Sequence, residues 1–108
     1  MTYSIDEIRA AVIPIARKYN LRAVYLFGSY ARGTATDSSD IDLIIDTTDT
    51  HIKSLLDLSK VYCDFENVFY KKIDLITADS LESPTHMPSQ VRFRENVIKE
   101  RVSIYAIA

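Results

Sequence analysis

The pattern of apolar and polar positions divides the chain into short helices and strands. Ile5, Ile8, Val12, Ile15 and Tyr19 recur at helical spacing, which predicts an amphipathic helix over residues 4–19 with that stripe inward. Ser4 followed by Glu7 is the capping-box pattern for its start. Pro14 lies inside the pattern; lacking a backbone donor, it is expected to kink or split the helix near residues 10–13. Asn20 tolerates left-handed backbone and is expected to end it. The run Val24-Tyr25-Leu26-Phe27 is β-branched and aromatic and stops at glycine, so residues 22–27 read as a strand. Gly28-Ser29 is the turn, Tyr30-Ala31-Arg32 makes one helical turn, and Gly33 closes it.

A polar, aperiodic loop covers residues 34–39. Residues 40–46, Asp-Ile-Asp-Leu-Ile-Ile-Asp, then read as a second strand. Period two sets Asp40 and Asp42 on one face and Ile41, Leu43 and Ile45 on the other. After a turn, Thr50 is a candidate cap for a helix over 51–64, with Ile52, Leu55, Leu56, Ser59 and Tyr62 inward. A turn is expected over 64–67 and a third strand over 68–76. Residues 77–88, with Pro84 and Pro88, read as irregular. A last helix over 89–101, with Ser89 as a possible cap, turns Val91, Ile98 and Val102 inward. The apolar tail, residues 103–108, suits a short extra strand.

Composition narrows the functional classes. The 108 residues suggest one domain spanning 1–108, long enough for one core but not for a nucleotide site plus a separate acceptor domain. The formal net charge is −2, which offers no electrostatic footprint for nucleic acid or an anionic membrane surface. No apolar run approaches the roughly 20 residues of a membrane span. The amino terminus has neither a basic region nor an apolar core, so it does not read as a secretory signal. The one cysteine, Cys63, has no internal disulfide partner. It reads as a small buried side chain in a helix, and a reducing, cytoplasmic compartment fits.

The chemistry concentrates in residues 28–42. The two strands flanking this stretch would bring its ends to one edge of a sheet. Free backbone N–H groups and the Ser29 hydroxyl would face the Asp40 and Asp42 carboxylates there. Glycine at 28 lets the backbone approach a phosphate with no Cβ in the way. Paired carboxylates suit Mg²⁺, a hard ion that commonly bridges acids to nucleotide phosphates. Asp74, inside Ile73-Asp74-Leu75-Ile76, could complete such a site or be a plain edge-facing acid. With two metals, one orients the triphosphate and the other activates an attacking hydroxyl, while a third acid can accept its proton. Arg32 reads as a phosphate contact or a solvated arginine, and Lys71 and Lys72 as a solvated strand face. His51 and His86 lack ligand spacing and read as surface residues. A lone Gly-Ser is only a turn, and a lone Asp-x-Asp is usually a solvated edge. The two at this fixed gap should coincide by chance in roughly one chain in a thousand.

Gly28-Ser29, ten residues, then Asp40-Ile41-Asp42 resembles the signature of the DNA polymerase β-like nucleotidyltransferase superfamily. The longer run Tyr25-Leu26-Phe27-Gly28-Ser29-Tyr30-Ala31-Arg32-Gly33, with Ser39-Asp40-Ile41-Asp42-Leu43, is similar to its minimal MNT-type branch, often encoded beside HEPN-domain toxins. The segment around Asp74 and the ending from Glu95 to Tyr105 resemble that branch too. The resemblance implies an α/β (α+β) fold, a small mixed sheet with helices packed on one face. It implies Asp40, Asp42 and Asp74 as catalytic ligands of Mg²⁺, two ions in all. Gly28 and Ser29, with Arg32 beside them, would hold the triphosphate. It further implies an antitoxin that transfers AMP from ATP to a tyrosine of a HEPN toxin, in a hetero-oligomer with that toxin. An antitoxin acting by stoichiometric binding alone, and a subunit modifying a small molecule, are the competing expectations.

Overall fold

The computed structural model describes residues 2–82 and 87–107. The elements run α1 (Ile5–Lys18), β1 (Ala23–Phe27), α2 (Gly28–Arg32), β2 (Ile41–Asp46), α3 (Leu55–Phe69), β3 (Ile73–Thr77), α4 (Ala78–Glu82), α5 (Pro88–Glu100) and β4 (Val102–Ala106). The strands form one mixed sheet in the order β3-β2-β1-β4. β1 pairs antiparallel with β2 and β4, and β2 pairs parallel with β3. The parallel pair needs a crossover, and α3 supplies it. The expected α/β architecture with a mixed sheet is the one observed.

Alternation along the strands divides the apolar side chains between two faces. Val24 and Leu26 of β1, Ile41, Leu43 and Ile45 of β2, and Ile73 of β3 join the main core. α1 covers that face with Ile8, Val12 and Ala16, and α3 with Val61, Phe65 and Phe69. The opposite face carries a smaller cluster of Phe27, Ile44 and Val97, with Tyr25, Ile76 and Leu81 packed against it. The principal helical layer thus lies on one face, and α4 and α5 partly cover the other.

The capping box of α1 is present in full: the Ser4 side chain accepts from the Glu7 N–H, and Glu7 from the Ser4 N–H. Asn20 has φ 56°, the left-handed conformation its side chain tolerates. α1 runs unbroken through Pro14. Pro14 and Ala10 are exposed, so water can satisfy the Ala10 carbonyl that loses its donor.

The second half of the chain departs further from the pattern. Helix α3 begins at Leu55, because Ser54 caps it by accepting from the Asp57 N–H. The Thr50 hydroxyl instead donates to the Thr47 carbonyl and accepts from the Ile52 N–H, closing a turn. Leu55 and Leu56 consequently face solvent, 85% and 70% exposed. The helix continues through the expected turn at 64–67, because Val61, Phe65 and Phe69 extend the buried stripe. Left-handed Tyr70, φ 53°, ends it. The Tyr3 hydroxyl donates to the Phe69 carbonyl at 2.6 Å and its ring packs edge-on against Phe69. Lys18 and Tyr19 donate to Asp64 at 2.9 and 2.6 Å, tying α1 to α3. Cys63 lies on α3 but is exposed, contrary to its expected burial.

The third strand is therefore only Ile73–Thr77, and part of the expected irregular stretch is α4. α5 starts at Pro88 with Met87 at the cap position and no side-chain cap, so Ser89 does not cap it. Val97 is its buried residue, while Val91 and Ile98, expected inward, are 38% and 53% exposed. Val102 is half-buried on β4, the strand that the apolar tail predicts. Pro84 and His86 lie outside the described residues; His51 is exposed. No described helix is long and apolar enough to cross a membrane.

Phe65 of α3 is fully buried in the main core. Phe65→Ala should cost about 3–5 kcal/mol of unfolding free energy, measured as a lower urea midpoint with an unchanged denaturant slope.

Candidate active site

Three backbone features bring the predicted site residues to one end of the sheet. β1 ends at Phe27, and Gly28, at φ 73°, turns the chain into α2. In β1–β2 pairing Phe27 stands opposite Asp42, and in β2–β3 pairing Asp42 stands opposite Asp74. Asp42 thus sits on an inner strand, with the glycine turn on one side and the third acid on the other. Asp40 immediately precedes β2 and is half-buried, as is Asp42; Asp74 is exposed on the edge strand.

Gly28 is required here for space as well as for its backbone angle. A Cβ at this position would collide with Oδ2 of Asp42. A left-handed φ also strains any side-chain-bearing residue. The first amides of α2 have no side-chain cap, so N–H groups remain available beside the Asp42 carboxylate.

The loop that fixes the gap between Ser29 and Asp40 is tied at several points. Thr34 N–H donates to the Ser29 carbonyl at 3.0 Å. Thr36 N–H donates to Ser39 Oγ at 2.9 Å, and Ser39 N–H donates to the Thr36 carbonyl at 3.0 Å. Lys71 Nζ donates to the carbonyls of Asp37 at 2.6 Å and Ser39 at 3.2 Å. Lys71 is therefore a loop anchor, not part of a solvated strand face. No periodicity could have revealed this, because its partners are backbone oxygens distant in sequence.

Electrostatics single out Asp42, whose carboxyl is pushed up from 3.8 to about 7. Burial is the largest cause, followed by its hydrogen bond with Asp74 and the charges of Asp74 and Asp40; Arg32 opposes them. Among the described residues no three His, Cys, Asp or Glu side chains are gathered tightly enough to hold a metal ion. The donor set nevertheless suits a hard divalent cation: paired carboxylates with an excess of negative charge, and Asp40 beside them.

A wall facing Asp42 comes from α5, which the sequence pattern did not assign to the site. Phe27, Gly28, Arg32 and Asp42 line a cleft of about 350 Å³ facing Phe93, Asn96, Val97 and Glu100. Arg32 Nη1 donates to Glu100 Oε2 at 3.2 Å, with both side chains partly exposed. Arg32 thus points into the same cleft as Asp42. Its partner acid lies 68 positions away and leaves no local sequence signal.

The polymerase β nucleotidyltransferase family model matches residues 10–106. A candidate protein adenylyltransferase of Methanocaldococcus jannaschii is 37% identical over 78 residues, covering 72% of this chain and 82% of that protein. Among solved structures, a toxin–antitoxin crystallised with AMP-PNP superposes with a TM-score of 0.69 at 21% identity, over 92% of this chain and 73% of that one. The complex of a tri-AMPylated Shewanella oneidensis HEPN toxin with its MNT antitoxin gives 0.64 at 16%, over 95% and 73%. At these identities the two structures share the fold.

The raised Asp42 value has a consequence for stability. Between about pH 4 and pH 7 the folded protein keeps a proton that the unfolded chain has lost. Stability of the metal-free protein should therefore fall as pH rises through that window. Asp42→Asn should flatten this slope and gain about 1–2 kcal/mol at pH 8, after discounting for partial exposure. Urea unfolding at pH 5 and pH 8 in the presence of a chelator measures both.

Proposed function

The chain belongs to the polymerase β nucleotidyltransferase family, and we propose that it transfers AMP from ATP to a tyrosine hydroxyl of a HEPN-domain toxin, neutralising that toxin as its antitoxin. The observation that carries the proposal is the alignment of Asp42 with Asp74 on adjacent strands, beside the Gly28 turn. The similarity to a candidate protein adenylyltransferase supports the reaction class. The fold shared with the antitoxin-bound, AMPylated HEPN toxin complex supports the partner.

The residues divide the work as follows. Gly28 lets the triphosphate approach the backbone, the Ser29 hydroxyl and neighbouring N–H groups donate to it, and Arg32 offers a cation from the same cleft. Asp40, Asp42 and Asp74 would hold two Mg²⁺ ions. Bound there, Mg²⁺ supplies phosphate charge neutralisation and a lowered acceptor pKa. The acceptor oxygen attacks the α-phosphorus and forms the new P–O bond. The bond to the β-phosphate bridging oxygen breaks, and pyrophosphate leaves with the electron pair. Asp74 would take the tyrosine proton. Its exposure on edge strand β3 leaves the acceptor side open to a second protein. Exposed Val91 and Ile98 on α5 offer that protein apolar contacts. The reaction and the single free thiol of Cys63 both suit the cytoplasm.

Incubation with labelled ATP, Mg²⁺ and the HEPN partner should place label on the partner protein. Asp40→Ala and Asp42→Ala should each reduce labelling by at least about 100-fold. Neutralisation of the toxin without label, undiminished in both variants, would establish stoichiometric binding instead. Label found only on a small acceptor would overturn the protein-modifying reaction.

A further inference from the structure

The cleft wall formed by α5 has a composition that triphosphate binding does not explain. Phe93, Asn96, Val97 and Glu100 line it at the i, i+3, i+4, i+7 spacing of one helical face. Their order along α5 gives the cleft two different ends. At one, Glu100 meets Arg32; at the other, Phe93 packs edge-on against Phe27, with centroids 6.3 Å apart and planes at 84°. Phe27 is the residue that stands opposite Asp42 in the sheet. The cationic end therefore lies beside α2 and the aromatic end beside Phe27, the strand neighbour of Asp42.

Phe93 remains 49% exposed although it belongs to the stripe that faces the sheet. In such a perpendicular contact Phe27 covers at most one face of the Phe93 ring, which leaves the other for a planar ligand. Asn96 is exposed one turn further along α5. Its amide offers a donor and an acceptor in one plane, the complement of the adenine amino group and an adjacent ring nitrogen. Guanine's N1–H and amino edge asks for two acceptors. Glu100 could supply them, but it is engaged by Arg32. The cleft's volume of about 350 Å³ falls within the range of small-ligand sites.

We infer that the α5 wall is a nucleobase subsite, in which Phe93 stacks the base and Asn96 selects adenine over guanine. This rests on the nucleotide-donor reading above and adds the residues that choose the nucleotide.

Titration calorimetry of the full chain with ATP, GTP and inorganic tripolyphosphate, each with Mg²⁺, tests it without any transfer reaction. ATP should bind at least about 10-fold more tightly than tripolyphosphate, as base stacking on an aromatic ring requires. Phe93→Ala should reduce ATP affinity about 10-fold and leave tripolyphosphate affinity unchanged, and Phe93→Tyr should restore it. Asn96→Ala should bring the ATP and GTP affinities within about twofold of each other. Glu95→Gln, exposed on α5 and outside that stripe, should change neither affinity. Binding of ATP by the parent that is unaltered by Phe93→Ala and Asn96→Ala would overturn the subsite and leave the donor site standing. A parent that binds neither ATP nor tripolyphosphate would overturn the donor site, and the subsite with it.

Discussion

The register of β2 is the constraint on which the rest depends. Ile41, Leu43 and Ile45 are each fully buried against the helices on one face, which holds Asp40 and Asp42 to the other. A slip of one residue would drive both carboxylates into the main core and turn three apolar side chains onto the face that carries the site. Pairing on both edges reinforces the choice. β1 presents Phe27 to Asp42 and β3 presents Asp74 to it, so β2 fixes where the glycine turn and the third acid arrive. The main core and the polar site are thus consequences of one alternation.

That alternation places negative charge where an isolated fold would not. Asp42 is half-buried, hydrogen-bonded to Asp74 and repelled by both neighbouring acids. Nothing in the packing of the main core needs such a pair, and an amide at position 42 would relieve the repulsion. A glycine at φ 73° leaves the space that the Asp42 carboxylate occupies. Backbone freedom in the unfolded chain and charge repulsion in the folded one both oppose stability here. The fold tolerates both because the opposite face of the same strands is so thoroughly apolar.

Where the sequence was legible, local chemistry and tertiary structure agreed. Ser4 and Glu7 satisfy each other within one turn, and the period of β2 is set by its own residues. The spacing from Gly28-Ser29 to Asp40-Ile41-Asp42 was visible because both ends of the loop adjoin short apolar strands. The pattern misleads where it leaves several candidates and contacts outside the pattern choose between them. Thr50 looks like a helix cap, but its hydroxyl closes a local turn, and Ser54 caps α3 instead. With the start displaced, Leu55 and Leu56 moved from the expected core to the surface, and Val61, Phe65 and Phe69 took their place. On α5 several apolar residues compete for the inner side, and only contact with Phe27 and Ile44 selects Val97. Lys71 and Glu100 acquire their roles from two loop carbonyls and an arginine that the chain brings to them.

The two helical layers therefore hold the sheet with unequal grip, and the inequality suits the site. α1 and α3 each bury three side chains in the main core and are joined by the Lys18–Asp64 and Tyr19–Asp64 contacts. α5 has one buried residue, Val97, and meets α2 through a partly exposed ion pair. Exposed pairs of this kind contribute at most about 1 kcal/mol. The strands that carry the acids are anchored from the side with the strong grip. The wall opposite them is held from the weaker side, by Val97 and the partly exposed Arg32–Glu100 pair. The deep core under the acids and the thinner packing under α5 follow from the same division of apolar residues between the two faces of one sheet.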